Sequence, residues 1–347
     1  MTRTPSKLFA CAVGLSLLAA ACSSSSAADT TTTTTTEPPT TTTIPAVEVS
    51  ESINGLPADD ELIDRRVVAI KIDNHPRARP QSGLEMADAV YEVLVEAGLT
   101  RFISLFHQSD SDYVGPNRSG RPTDSQLVAS LAGGPLQISG AQGWVKNIFR
   151  KDEINVSWDN GFTTYRMPDR PRPHNLYTSS LLVREWADNE AWPDDNPGNL
   201  FAFGEATEGE GSATTISVEY SDSTRSNWEW DDELEQYIHF QGTEPHEWVT
   251  EDGDVGPVAF DTIVVMKMRK YIARNPAGSG TSLPTVETVG TGEAVVFFEG
   301  QAVTGTWERE EITEPFTLTA TDGTELVLPP GRLWMSPIPD DRSVTWE

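Results

Sequence analysis

The chain has 347 residues, with 53 acidic against 25 basic side chains and a formal net charge of −28. Such an excess repels polyanions and excludes nucleic-acid binding as a role. Both cysteines, Cys11 and Cys22, fall in the leader, so disulfide staples, thiolate catalysis and cysteine-ligated zinc are excluded from the rest of the chain.

Arg3 and Lys7 precede an apolar run from Leu8 to Ala21, ending in Ala19-Ala20-Ala21-Cys22-Ser23. A basic start followed by an apolar run too short to span a bilayer predicts a signal peptide over 1–22. Small residues directly before a cysteine look like a bacterial lipobox, in which Cys22 is lipidated and becomes the new N-terminus. Cleavage after Ala21 without a lipid is the alternative. Acylation at Cys22 would anchor the protein to the cell membrane from outside the cytoplasm. No later run in the sequence is long and apolar enough for a membrane helix.

Residues 23–52 are of low complexity, and eleven of the fourteen residues from Thr30 to Thr43 are threonine. This composition buries too little apolar surface to offset chain entropy, so a disordered stalk is expected. Charge then divides the chain. Residues 61–190 hold 15 Lys plus Arg against 17 Asp plus Glu, a net of −2, whereas 191–347 hold 8 against 30, a net of −22. With turn-rich sequence over 192–212, this predicts two domains: an α/β domain over 53–195 and an acidic β-rich domain over 212–347, α+β overall.

In the first of these, Val67 to Ile72 reads as a buried strand followed by the turn Asp73-Asn74-His75-Pro76. Further strands are expected over Ala89 to Val95 and Arg101 to His107. Pro122 opens a helix running to about Leu131 and stopped by Gly133-Gly134. Pro135 to Ser139 reads as a short strand and Ala141 to Lys151 as a helix. Thr178 or Ser179 caps a last helix to about Glu190. Beyond residue 212 the period becomes two. Ile216, Val218 and Tyr220 alternate with polar residues, and hairpins are expected over Asn227 to Phe240, Glu293 to Thr306 and Phe316 to Leu328, with a buried strand from Thr262 to Met268.

Several chemistries have no sequence support. No Gly-x-Ser-x-Gly elbow, phosphate loop, His-Glu-x-x-His or complete Gly-x-Gly-x-x-Gly is present, and the five histidines lack zinc-ligand spacing. Neither a metal nor a cofactor is expected. What remains is polar. Asp73 and Asn74 follow a strand, where open α/β sheets place ligands, although the same residues also make ordinary turns. Arg118, Ser119 and Arg121 precede a helix N-terminus and suit a carboxylate or phosphate, unless they pair with Glu92, Glu96, Asp110 or Asp112. Tyr165 to Tyr177 reads as an extended, exposed proline loop carrying Arg166, Arg170, Arg172, His174 and Asn175, with His174 suited to proton transfer. Arg79 and Arg101 complete the expected contacts. Trp144, Trp158, Trp228 and Trp230 suit either a sugar site or the core.

Val68-Ala69-Ile70-Lys71-Ile72-Asp73-Asn74-His75-Pro76, Arg79-Pro80-Gln81-Ser82-Gly83-Leu84, Gly115-Pro116-Asn117-Arg118-Ser119 and Pro173-His174-Asn175-Leu176-Tyr177 resemble the YerB-like bacterial lipoproteins, a domain-of-unknown-function family. Trp307-Glu308-Arg309 and Leu328-Pro329-Pro330-Gly331-Arg332-Leu333-Trp334 are similar to that family's C-terminal domain. Asn117 and Gly120 depart from it, where Val and Ala are commoner. The resemblance implies a two-domain envelope lipoprotein and brings no catalytic residues with it. The residues themselves point first to a binding module for an anionic or glycan-like envelope ligand. A hydrolase or transferase acting on an envelope glycan or phosphodiester, with Asp73 and His174 as acid and base, is the alternative. An interaction scaffold with a protein partner is the third.

Overall fold

Val68-Ala69-Ile70-Lys71-Ile72-Asp73 forms strand β1 (Val68–Asp73), and all six of its residues are buried. A nearly continuous apolar run of this kind suits a strand covered on both faces. In the computed structural model, which describes residues 52–278 and 280–347, β1 lies inside a ten-stranded sheet. The expected signal peptide, the lipid on Cys22 and the stalk up to Glu51 lie outside the described residues.

β1 pairs antiparallel with β3 (Thr100–Phe106), which pairs antiparallel with β2 (Ala89–Leu94). On its other side β1 runs parallel to β4 (Leu136–Gln137), and β4 runs parallel to β5 (Val156–Ser157). Beyond β2 the sheet continues with the parallel strands Leu333–Pro339 and Thr262–Met268, then the antiparallel strands Gly290–Phe298, Gln301–Arg309 and Thr317–Ala320. Strands from both sides of residues 192–212 therefore build one sheet. Seven of them point the same way, so their carboxyl ends share one edge.

Period-two alternation sends Val67 and Ala69 to one face and Val68, Ile70 and Ile72 to the other. The first face packs under Leu127, Val145 and Phe149 of helices α1 (Pro122–Val128) and α2 (Gly143–Lys151). The second packs against helix α3 (Ser180–Asn189) and a smaller antiparallel sheet that includes Thr215–Ser221, Thr224–Asp231 and Gln236–Gln241. Trp334 lies at the centre of this second layer, with its ring centroid 5.1 Å from those of Phe102 and Trp228 and 5.2 Å from that of Phe260. Edge-on aromatic pairs of this kind add about 0.5–1.5 kcal/mol each beyond area burial.

An α/β first part and a sheet-rich second part are as expected. Pro122 occupies the first turn of α1, and the Asp124 carboxylate accepts from the Arg121 backbone N–H at 2.8 Å. Ser179 caps α3, its Oγ accepting from the N–H of Leu181 at 3.2 Å. Helix α1 ends at Val128, earlier than expected. Gly134 packs so closely on the Val67 carbonyl that a Cβ would lie 2.2 Å from its oxygen.

Two expectations change. The Phe316 to Leu328 segment folds back about Asp322-Gly323 as expected, with Thr319 opposite Glu325 and the Leu326 N–H donating to Leu318 O at 2.9 Å. Only Thr317–Ala320 is a full strand, because Leu328 turns away to donate its N–H to Ala202 O at 2.9 Å. The loop from Tyr165 to Tyr177 is not extended and exposed throughout. Thr164–Arg166 pairs antiparallel with Leu176–Thr178, and His174 and Asn175 are buried. Arg170 folds inward and fastens this loop, donating to Ala78 O at 2.8 Å and Pro80 O at 3.1 Å.

Candidate functional site

Asp73 ends β1 at the carboxyl edge, and alternation puts it on the same face as Lys71, toward α1. Its carboxylate is only 3% exposed. Oδ2 lies 2.8 Å from His174 Nδ1 and 3.2 Å from Arg118 Nε, while Oδ1 accepts from the His75 backbone N–H at 3.2 Å. A carboxylate only accepts, so Nδ1 of His174 carries the proton, and in the neutral ring Nε2 holds the lone pair. The His75 ring stacks on His174 with centroids 4.9 Å apart and planes at 21°. Partial burial, followed by the neighbouring His174, holds His75 below the ordinary imidazole range.

The loop bearing Arg118 is laced to β1. Its backbone N–H donates to Lys71 O at 2.9 Å, and Asn117 Nδ2 reaches the same oxygen at 2.8 Å. Arg101 and Arg121 brace this loop from behind. Arg101 Nη1 donates to Ser119 O at 2.7 Å, and Arg121 pairs with Glu96, Nε to Oε2 being 2.7 Å. Burial would raise the Glu96 carboxyl, yet the Arg121 and Arg101 guanidinium groups overcome it and hold the acid at about 2. Ser119 Oγ lies 3.3 Å from Ser139 Oγ, the residue just past β4 on the same edge.

Asn74 points to the opposite face. Its amide nitrogen donates to Thr100 Oγ1 at 2.8 Å and Gln241 Oε1 at 3.1 Å, and its oxygen accepts from Arg79 Nε at 3.1 Å. Gln81 links this group to His246 at 2.8 Å, and the Nδ1 atoms of His246 and His239 are 2.6 Å apart. Burial, then His246 and Arg79, hold His239 well below the imidazole range, and burial with Arg79 takes His246 to about 3.

The expected residues therefore separate into groups. Asp73, His174 and Arg118 meet, with Ser119 beside them. Arg101 and Arg121 support the loop, while Asn74 and Arg79 belong to a buried network on the other face. Arg166 is taken up by Asp159 at 2.8 Å and Asn175 at 3.1 Å. Arg172 is exposed and has no hydrogen bond or ion pair among the described residues. Trp228 is core, whereas Trp144 and Trp158 remain half-buried at the margin of the helix layer. Sequence reasoning named Glu96 as a pairing partner for these arginines, which holds for Arg121, but did not single out His75, Lys71 or the His239–His246 pair as functional. The one available signal was Lys71, a lone charge in an otherwise apolar strand core.

Among the described residues, no three histidines and carboxylates converge as metal ligands, and no helix is long and apolar enough to cross a membrane.

The chain is similar to YerB, a candidate lipoprotein of Bacillus subtilis, with 27% identity over 308 residues, 85% of this chain and 88% of that protein. A crystal structure of Bacillus subtilis YerB matches with a TM-score of 0.73 at 23% identity, covering 86% of this chain and all of that one, which supports the fold. Residues 53–192 match the N-terminal domain, and 216–335 the C-terminal domain, of the protein family of unknown function DUF3048. With both domains matched in order across the folded part, the chain belongs to the DUF3048 family.

Proposed function

We propose that this protein is an extracytoplasmic lipoprotein, anchored through Cys22, that holds an anionic envelope ligand at the carboxyl edge of its main sheet. The similarity to YerB, itself named as a candidate lipoprotein, and the lipobox-like leader support the anchoring half of this reading. The single observation that carries the other half is the Asp73 Oδ2 contact with His174 Nδ1 at 2.8 Å, shared with Arg118 Nε at 3.2 Å. Asp73 takes up one nitrogen of each side chain, which leaves the terminal nitrogens of Arg118 to donate to a phosphate or carboxylate, and Nε2 of His174 to accept from a hydroxyl of a protonated or substituted one. Arg172 and Arg77, both exposed, add long-range attraction in an otherwise acidic chain. In this reading the 53–195 part carries the site, and the 212–347 part braces it through Gln241 and His246.

The test is calorimetric titration of the full chain with inorganic phosphate and glycerol phosphate. Saturable binding that Arg118→Ala weakens at least ten-fold is expected. Equal binding by the wild type and the variant, or none by either, would overturn the reading.

A second reading, acid–base turnover of a phosphodiester, is favoured by one feature. A histidine whose Nδ1 is held by a buried carboxylate has its Nε2 oriented to take or give a proton. Hydrolysis of bis(p-nitrophenyl) phosphate, lost in His174→Ala, is its test.

A further inference from the structure

A groove of about 690 Å³ separates α1 and α2 from the strand Lys270–Ala273 and the residues after it. Its volume lies within the range of about 300–1,000 Å³ typical of small-molecule sites. The groove begins at Pro122 and Trp144, first-turn residues of the two helices, and Tyr271 and Ile272 form its far wall. The wall aromatics are held in place. Trp144 Nε1 donates to Gln142 Oε1 at 2.9 Å, and the Tyr271 hydroxyl accepts from Gln126 Nε2 at 3.2 Å. Ile272 is 45% exposed, an uncovered apolar side chain in a wall that also carries the Asn147 amide.

The charge of this groove runs against that of the chain. Residues 191–347 hold 8 cations against 30 carboxylates, yet the groove is lined by Lys151 and Arg274 and by no acidic side chain. Both cations are exposed, and neither has an ion pair among the described residues. The two carboxylates that act on the Tyr271 hydroxyl are already engaged. Asp152 Oδ2 accepts from Ser125 Oγ at 2.5 Å, and Glu287 Oε2 accepts from Arg269 Nε at 2.6 Å.

We infer that this groove binds an acidic oligosaccharide, with sugar rings lying on Trp144 and Tyr271 and their carboxylate or phosphate substituents facing Lys151 and Arg274. Aromatic rings with amide and hydroxyl groups beside them match the mixed apolar and polar faces of a sugar. Two unpaired cations select the acidic member of that class. A protein surface would need a much larger contact than a groove of this size provides. The inference goes beyond the proposed anion site and rests on other residues than those around His174, so either site can fail without the other.

The experiment titrates the full chain with hexagalacturonate and with its methyl-esterified, uncharged counterpart, following tryptophan fluorescence. Saturable binding of the acidic hexamer is expected, with the neutral one at least ten-fold weaker. Trp144→Ala should weaken acidic binding at least ten-fold. Because Trp144 also packs on the core, the doubly substituted Lys151→Ala and Arg274→Ala chain is the companion variant, expected to lose the preference for the acidic hexamer. Arg118→Ala should leave binding intact. Absence of saturable binding, binding unchanged in both groove variants, or binding abolished by Arg118→Ala would each overturn the inference.

Discussion

Lys71 Nζ lies 2.6 Å from Asp124 Oδ1, and neither side chain reaches solvent. The pair joins the middle of β1 to the first turn of α1, and Lys71 O on the same residue anchors the Arg118 loop. Burial takes the Lys71 amine down to about 8, against the opposing pull of Asp124. One buried ion pair thus sets how the helix, and the loop before it, sit on the sheet.

Replacing one partner strands the other charge in the interior. Lys71→Met should cost about 3–5 kcal/mol, measured by urea unfolding. Lys71→Met combined with Asp124→Leu should recover most of that loss, since both desolvation penalties go together. If the double variant is as unstable as the single one, the pair is not the source of the loss. The linkage has a definite sign. The unfolded chain binds more protons than the folded one between about 8 and 10.5, so this lysine adds stability as pH rises through that window.

Glu96 works at the opposite end of the scale. Its folded value of about 2 lies below the ordinary 4.5, so its contribution is fully present above 4.5 and is lost as pH falls toward 2. Glu96→Gln should be less stable than the wild type near neutral pH and match it at about pH 2. Thermal melts across that window check this, and a constant gap at every pH would count against it.

His239 and His246 are buried and stay neutral in the folded protein, whereas in the unfolded chain they titrate near 6.5. Below 6.5 the unfolded state takes up the protons, so stability falls with decreasing pH by about 1.4 kcal/mol per unit for each histidine. His246→Gln, which preserves a donor to Gln81, should reduce that slope by about one proton between pH 6 and 4. Chemical unfolding at several pH values in this range measures it; an unchanged slope would remove His246 from the acid response.

Asp73→Asn separates binding from catalysis. Asparagine keeps the shape but removes a negative charge beside Arg118, so phosphate affinity in calorimetry should hold or improve. Any turnover that relies on an oriented His174 should drop by about 10²–10⁴. A variant that loses affinity as strongly as Arg118→Ala would show that Asp73 shapes the ligand pocket directly.

The strand and cap chemistry was legible in sequence because it is local. Val68 to Ile72 could only be buried, Pro122 and Ser179 mark helix starts, and Glu299-Gly300 turns the strands Gly290–Phe298 and Gln301–Arg309. Asp73 was identifiable for the same reason, as the polar residue that ends an apolar strand. The bend in the segment that follows Asp322-Gly323 was not legible, since Leu328 answers to Ala202, far away in sequence.

Composition, period and turn residues determined by themselves that this is an acidic chain with an α/β part followed by a β-rich part, and where its charged groups cluster. Only the tertiary structure decided which of those groups meet. In sequence the expected arginine contacts looked alike. In space Arg121 is neutralised by Glu96, Arg79 is locked to Asn74 and Gln241, Arg166 is held by Asp159, and Arg118 shares Asp73 with His174. An arginine's role depends on which carboxylate lies within a few ångströms, and that distance is set by strand order and helix docking across more than a hundred residues.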